Sequence, residues 1–419
     1  MSPMRWLIAI SLAGLAIRLG LAPFFDGFGF DIYLFGEWAQ TLTTHPFASF
    51  YTHAESPDHL PGDLWFLWGA ARIYVLLGGE RFEGVPFLIT VKSISAIADV
   101  AAGIALFAIV RRVRQSDRLA LIAAAAYVLN PAAIFMSAIW GQWDSISIAL
   151  VLWAFWLALL PRDAWIAGMP LLAWALMIKP QLALLVPFVL LLPISRAWDA
   201  SDRRLMPTLR TLAPRVVAAG AIAIAMVCAL GLPFGVGLPG IPSDWPLLDR
   251  LDFALNLWSY TTMGAFNPWI IPIGSLDRWS DVSVTFLGLT PHTWGTLMLV
   301  VAYAAILLAV VWRLRERMHV DLVIWGMLAV GMAWFMLPTR VHERYLFPAF
   351  VLAILGMAVA RLSSAWVVFA VGISASFLLN LAAVYWSWSG VVVEIGAFAN
   401  IALTIWMLRL GRPLLARSA

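Results

Sequence analysis

The sequence predicts an all-α membrane protein: a polytopic bundle of about twelve helical spans, read as one integral-membrane domain over residues 1–419. Three observations predict it. The chain is 63% hydrophobic and only 12% charged, with a mean hydropathy of +0.89; a soluble domain is about 45–50% apolar and about 25% charged. Several apolar runs approach the roughly 20 residues needed to cross a hydrocarbon core. The arginines gather in short loops between these runs, as the positive-inside bias requires. A transmembrane β-barrel would instead show short segments of alternating hydrophobicity. The net charge of +4 is explained by the same loops, so nucleic acid is not an expected partner. The single cysteine, Cys228, sits in an apolar run and excludes an intrachain disulfide.

Threading starts from a cytoplasmic Arg5 and an uncleaved first span at residues 6–22; Arg18 lies too late in the run for a signal peptide. A first outer loop, 23–84, follows, with amphipathic interfacial helices at 33–42 and 64–76. The second span, 85–110, ends at Arg111, Arg112 and Arg114. Within it Lys92 and Asp99 share one helical face and are expected to make structural contacts in the bundle. Spans at 119–139 and 144–160 flank an outward turn at 140–144. The run 164–192 is too long for one span. Lys179-Pro180 divides it, because proline opposes helix continuation and lysine is costly in lipid. A basic loop, 196–215, leads to a span at 216–232 and then to a second long outer loop, 233–293, rich in Pro, Gly, Trp and Asp. The remaining spans are expected at 294–312, 321–337, 345–360, 365–384 and 391–408. They alternate with basic loops containing Arg313, Arg315 and Arg317, and end in a tail with Arg409, Arg412 and Arg417.

In this threading the polar clusters fall on the outer face, opposite the arginine loops. Asp31 follows the first span in a Gly- and aromatic-rich turn; it suits a helix N-cap as well as a reactive carboxylate. Asp58 in Pro57-Asp58-His59-Leu60-Pro61-Gly62 suits a turn. His53, His59 and Asp58 match no metal-ligand spacing, so no metal is expected. Asp144 and Lys179 mark span ends, where an aspartate can cap and a lysine can snorkel, but where a lysine can also bind a phosphate at headgroup depth. Arg340, His342, Glu343 and Arg344 put three cationic residues and a carboxylate at a span junction; either a salt-bridge network or a bound anion accounts for them. Most of the 23 tryptophans suit the membrane interface, and Trp258 and Trp269 are candidates to stack on a sugar ring. No nucleotide-binding or hydrolase motif is present, so an enzyme of this kind would take an activated donor from the membrane.

The ordered set resembles the GT-C class of integral-membrane glycosyltransferases. Phe30-Asp31 followed by Trp38-Ala39 is similar to that class's first-loop acidic motif, and Pro57–Gly62 resembles its Asp-Tyr-Pro-Pro element, with His59 and Leu60 as departures. Asn130-Pro131, Gly141-Gln142-Trp143-Asp144 and Lys179-Pro180-Gln181 follow in the class's order. His342-Glu343-Arg344 is similar to the His-Glu-Lys element of dolichyl-phosphate-glucose glucosyltransferases. Asn256-Leu257-Trp258 and Phe266-Asn267-Pro268-Trp269 stand where relatives carry similar elements. Bacterial mannosyltransferase relatives fit as well as the glucosyl ones.

The resemblance implies an inverting hexosyltransferase with a polyprenyl-phosphate sugar donor, a glycan or lipid-linked acceptor, no cofactor and no metal. It implies Asp31 as general base, with Asp58, His59, Gln142, Asp144, Lys179, Gln181, Arg340, His342, Glu343 and Arg344 binding substrate. Lys179, Arg340, His342 and Arg344 would face the phosphate, and Glu343 would orient His342 or bind a sugar hydroxyl. Retaining chemistry would need a second close carboxylate, for which Asp58 is the less favoured candidate. The expected location is a bacterial plasma membrane with the site facing outward. The alternative is a transporter or flippase for a lipid-linked saccharide, which would place its polar groups nearer the midplane.

Overall fold

The computed structural model describes residues 2–316 and 319–416. Arg317 and Arg417 of the expected basic loops lie outside the described residues. The structure is mostly helical; among the described residues one pair of short strands, Val236–Gly237 and Trp245–Pro246, runs parallel. Seven helices among the described residues are long and apolar enough to cross a membrane, and the bent pair Asp117–Val128 and Pro131–Trp140, with 44° between its halves, adds an eighth if it counts as one span. The protein is a multi-pass helical membrane protein. Shorter apolar helices, Asp144–Leu159, Ala164–Ile178 and Val320–Met336, coincide with other expected spans. The break at Lys179 is present: helix Met169–Leu176 ends before it, a 3-10 turn runs over Pro180–Leu185, and helix Val186–Ala200 follows.

The chain forms two compact units. The first comprises Met1–Leu106, Ala133–Ala183 and Ala213–Leu257. Its opening helix, Pro3–Leu21, begins with Pro3 in the first turn and Ser2 as cap, accepting from the Arg5 N–H at 3.4 Å. Helices Gly29–Thr44 and Pro61–Leu76 cover the segments 33–42 and 64–76 expected to be helical. The core between them is aromatic: Phe35 stacks on Trp143 with centroids 3.9 Å apart, and Trp38 meets Phe50 edge-on at 6.2 Å. Helix Pro61–Leu76 starts hard against the residues before Lys179. Gly62 donates its N–H to the Met177 carbonyl at 2.9 Å and accepts from Trp174 Nε1 at 2.8 Å. A Cβ on Gly62 would strike that Met177 carbonyl, so glycine is what permits the approach.

The second unit comprises Phe107–Ala132, Leu184–Leu212 and Trp258–Ala419. Its centre is the pair Val320–Met336 and Phe347–Val359, almost wholly buried; Gly331 lets the two backbones close on Ala349. Helices Ser364–Tyr385 and Val391–Leu415 pack beside them. The segment 264–270 is pinned to this bundle by asparagine amides. Asn380 takes both the Gly264 carbonyl and the Phe266 N–H, Asn400 donates to the Phe266 carbonyl at 2.9 Å, and Asn267 donates to the Phe335 carbonyl at 3.2 Å. An amide side chain that satisfies both a carbonyl and an N–H lets an irregular segment be buried without orphaned backbone groups.

Candidate active site

Asp31 stands in the first turn of helix Gly29–Thr44, where the positive end of the helix dipole favours a carboxylate. The approach to that turn is built for it. Gly27 adopts φ +80°, and Phe28 donates its N–H to the Trp140 carbonyl at 2.9 Å while stacking its ring on the Trp140 indole at 4.7 Å. Lys92 holds the same link from the other side, donating Nζ–H bonds to the carbonyls of Ala22 and Phe25 at 3.2 and 2.5 Å. Lys92 is thus a structural contact, as expected, and so is Asp99, which pairs with Arg18 at 2.8 Å.

Two donors converge on a single oxygen of Asp31. Trp140 Nε1 reaches Oδ2 at 3.2 Å and Gln142 Nε2 reaches it at 2.5 Å. Both come from a π-helical turn, Phe135–Trp140, and the left-handed Gly141 that ends it. A π-turn carries one more residue per turn than an α-helix, and here it aims Trp140 and the Gln142 amide the same way. Gln142 is fixed in turn by Ser95, whose hydroxyl donates to its carbonyl at 2.6 Å. Asp31 Oδ1 carries no hydrogen bond among the described residues, and Asp31 is half-buried. A carboxylate held by one oxygen and open at the other can accept a proton from a bound hydroxyl.

The same helix face carries Phe35 and Trp38, one turn and two turns beyond Asp31. The His59 ring lies edge-on to both, at 6.3 and 4.9 Å. His59 Nδ1 is 2.5 Å from Oδ2 of Asp63, whose side chain is 1% exposed, and His59 Nε2 is 4.0 Å from Asp58 Oδ1. Burial pushes the imidazole toward its neutral form, but Asp63 and then Asp58 outweigh it, so the His59 pKa lies above the ordinary value. Lys179, which opposes that shift through its own charge, pairs with Asp144 at 3.8 Å; both side chains are buried. The expected first-unit residues Asp31, Asp58, His59, Gln142, Asp144 and Lys179 therefore belong to two linked sets, one at Asp31 and one around His59. Gln181 lies half-buried in the turn after Lys179.

Asp63 was missed by sequence reasoning, since an aspartate in a first helical turn needs no further explanation. The available signal was the His59-to-Asp63 spacing of four residues across a helix start. Arg250 was missed as well. Its guanidinium lies 4.2 Å over the Tyr51 ring and donates to the Pro57 carbonyl, clamping the loop that carries Asp58.

In the second unit the junction residues are engaged internally. Arg340, held at φ +64°, donates from Nε to Oδ2 of the fully buried Asp281 at 2.8 Å; Thr339 donates to the same oxygen at 2.7 Å. Arg344 pairs with Glu343 at 3.1 Å and lies 3.5 Å from His342 Nδ1. Arg340 and Arg344 each make an ion pair in this structure, and Asp281 is the partner of Arg340 that sequence reasoning did not supply. Trp269 spends its indole N–H on the Leu337 carbonyl at 2.8 Å, and Arg278 lies 5.5 Å over Trp258. Among the described residues no group of three or more His, Cys, Asp or Glu side chains has the arrangement of a metal site. The sequence matches no family model and no curated protein.

Proposed function

We propose that the chain is an inverting glycosyltransferase that moves a hexose from a polyprenyl-phosphate donor to a lipid-linked or cell-envelope acceptor. The reading includes about twelve spans, counting the shorter apolar helices, and a site on the outer face of a bacterial plasma membrane. The observation that carries it is Asp31: a carboxylate at a helix start, oriented through one oxygen by Trp140 and Gln142 and open at the other. In the reaction the acceptor hydroxyl loses its proton to Asp31 Oδ1 as its oxygen attacks the anomeric carbon. The bond from that carbon to the phosphate oxygen breaks, and its electron pair leaves with the polyprenyl phosphate. Lys179 is the first-unit cation assigned to the developing negative charge, with Asp144 holding its ammonium in place. Equilibrium binding of a polyprenyl-phosphate hexose tests these roles. Asp31→Asn should bind it as the wild type does, and Lys179→Ala should bind it at least tenfold more weakly. Unchanged affinity in Lys179→Ala would remove Lys179 from the phosphate.

A further inference from the structure

The loop before helix Pro61–Leu76 contains a carboxylate, Asp58, that accepts no hydrogen bond among the described residues. The turn at Ser56–His59 is closed without the Asp58 side chain: the Asp58 N–H donates to the Ser56 carbonyl at 2.8 Å, Tyr51 Oη donates to the His59 carbonyl at 2.9 Å, and Arg250 donates to the Pro57 carbonyl. The Asp58 carboxylate makes no hydrogen bond among the described residues, and its side chain is 28% exposed. The turn-forming role that its sequence context suggests is therefore performed by other groups. Behind it lies an ordered gradient of burial. His59 is 17% exposed and Asp63 1%, with the Asp63 Oδ1 buried and without a partner.

We propose that Asp63, His59 and Asp58 form a charge chain whose outer end, Asp58, binds a hydroxyl group of the ligand, with His59 and Asp63 as its positioning residues. This inference rests on the transferase reading for the kind of ligand, and on the geometry alone for the chain itself. Asp63 accepts the Nδ1–H and so fixes the ring and directs Nε2 at Asp58. The 4.0 Å from Nε2 to Asp58 Oδ1 is too long for a direct hydrogen bond but close enough for an imidazolium to attract the carboxylate. Trp38 and Phe35 flank the ring edge-on. Lys179 also faces His59, and Arg250 faces Asp58. Two further buried polar atoms without partners, Gln142 Oε1 and Trp143 Nε1, lie along the wall that joins His59 to Asp31 through Phe35.

Two measurements on the full chain in detergent test this. The first needs no ligand: the ¹⁵N-histidine titration of His59, assigned by its loss in His59→Gln. The midpoint should lie above the ordinary histidine value, fall in Asp63→Asn, and fall by less in Asp58→Asn. A midpoint that neither substitution moves overturns the chain. The second is binding of polyprenyl-phosphate hexoses and their singly deoxygenated analogues. Asp58→Asn should weaken the parent donor by about tenfold or more while leaving unchanged the affinity of one analogue, the one lacking the bound hydroxyl. Asp63→Asn should shift the pH at which affinity is lost to lower values, and Asp63→Glu should restore it. Equal loss on every analogue, or a superimposable pH profile in Asp63→Asn, overturns the hydroxyl assignment. A wild-type chain that binds none of the donors refutes the transferase reading and the ligand class together, and the histidine titration then decides the charge chain by itself.

Discussion

Replacing Gln142 with leucine removes one of the two donors that orient Asp31 and little else. The side chain is 2% exposed, its Nε2 lies 2.5 Å from Asp31 Oδ2, and its Oε1 has no partner. Leucine fills nearly the same space and takes away a buried acceptor that costs stability, so the melting temperature should change little. The loss falls on Asp31. A hydrogen bond to a charged group is worth about 1.5–3 kcal/mol, which discounted for the half-exposed setting of Asp31 leaves roughly 1–2 kcal/mol. If that orientation is needed in the transition state, kcat should fall by roughly 5–30-fold with donor affinity held. Trp140→Phe removes the longer bond, at 3.2 Å, and should cost less. The double variant should cost more than the sum of the two, because the carboxylate is then free to turn. The assay is single-turnover transfer at saturating donor, beside thermal unfolding of each variant. A kcat within twofold of wild type in a folded Gln142→Leu chain would refute the claim that Asp31 works through a fixed orientation.

Three other outcomes concern the fold that carries the site. Arg18→Met leaves Asp99 buried without its 2.8 Å partner and should cost roughly 3–5 kcal/mol in detergent unfolding, most of it regained in Arg18→Met with Asp99→Leu; a single variant as stable as wild type would contradict the pairing. Gly62→Ala drives a Cβ onto the Met177 carbonyl and should cost roughly 2–4 kcal/mol through overpacking and two weakened hydrogen bonds; a loss under about 0.5 kcal/mol would show that the helix start shifts freely. The raised pKa of His59 means that the folded chain holds its proton more tightly than the unfolded one. Its stabilising contribution should be complete below about pH 6.5 and fade as pH rises through the folded-state value above that. The difference in melting temperature between wild type and His59→Gln should therefore shrink from pH 5.5 to pH 9, and a difference that grows would reverse the assignment.

Seven or eight of the expected spans were legible because apolar length is a property of single segments. The break at Lys179-Pro180 was legible for the same reason: two adjacent residues forbid a continuous helix there. The partnerships were not legible. Arg18 and Asp99 each stood out as an ionisable group in an apolar run, but nothing in either run names the other across 81 residues. Asp281 is one of several aspartates in a polar segment, and only folding makes it the buried counter-ion of Arg340. The convergence of Trp140 and Gln142 on one oxygen depends on a π-helical turn, which hydrophobic periodicity does not reveal. Asp31 and His59 were visible as residue types; what orients them was not.

The most direct test of the account is transfer from a panel of radiolabelled polyprenyl-phosphate hexoses by the purified chain, with Asp31→Asn alongside. The account predicts turnover of one donor, lost in Asp31→Asn while binding persists. Binding without turnover, unchanged by Asp31→Asn, would contradict it and support a carrier of lipid-linked saccharides instead.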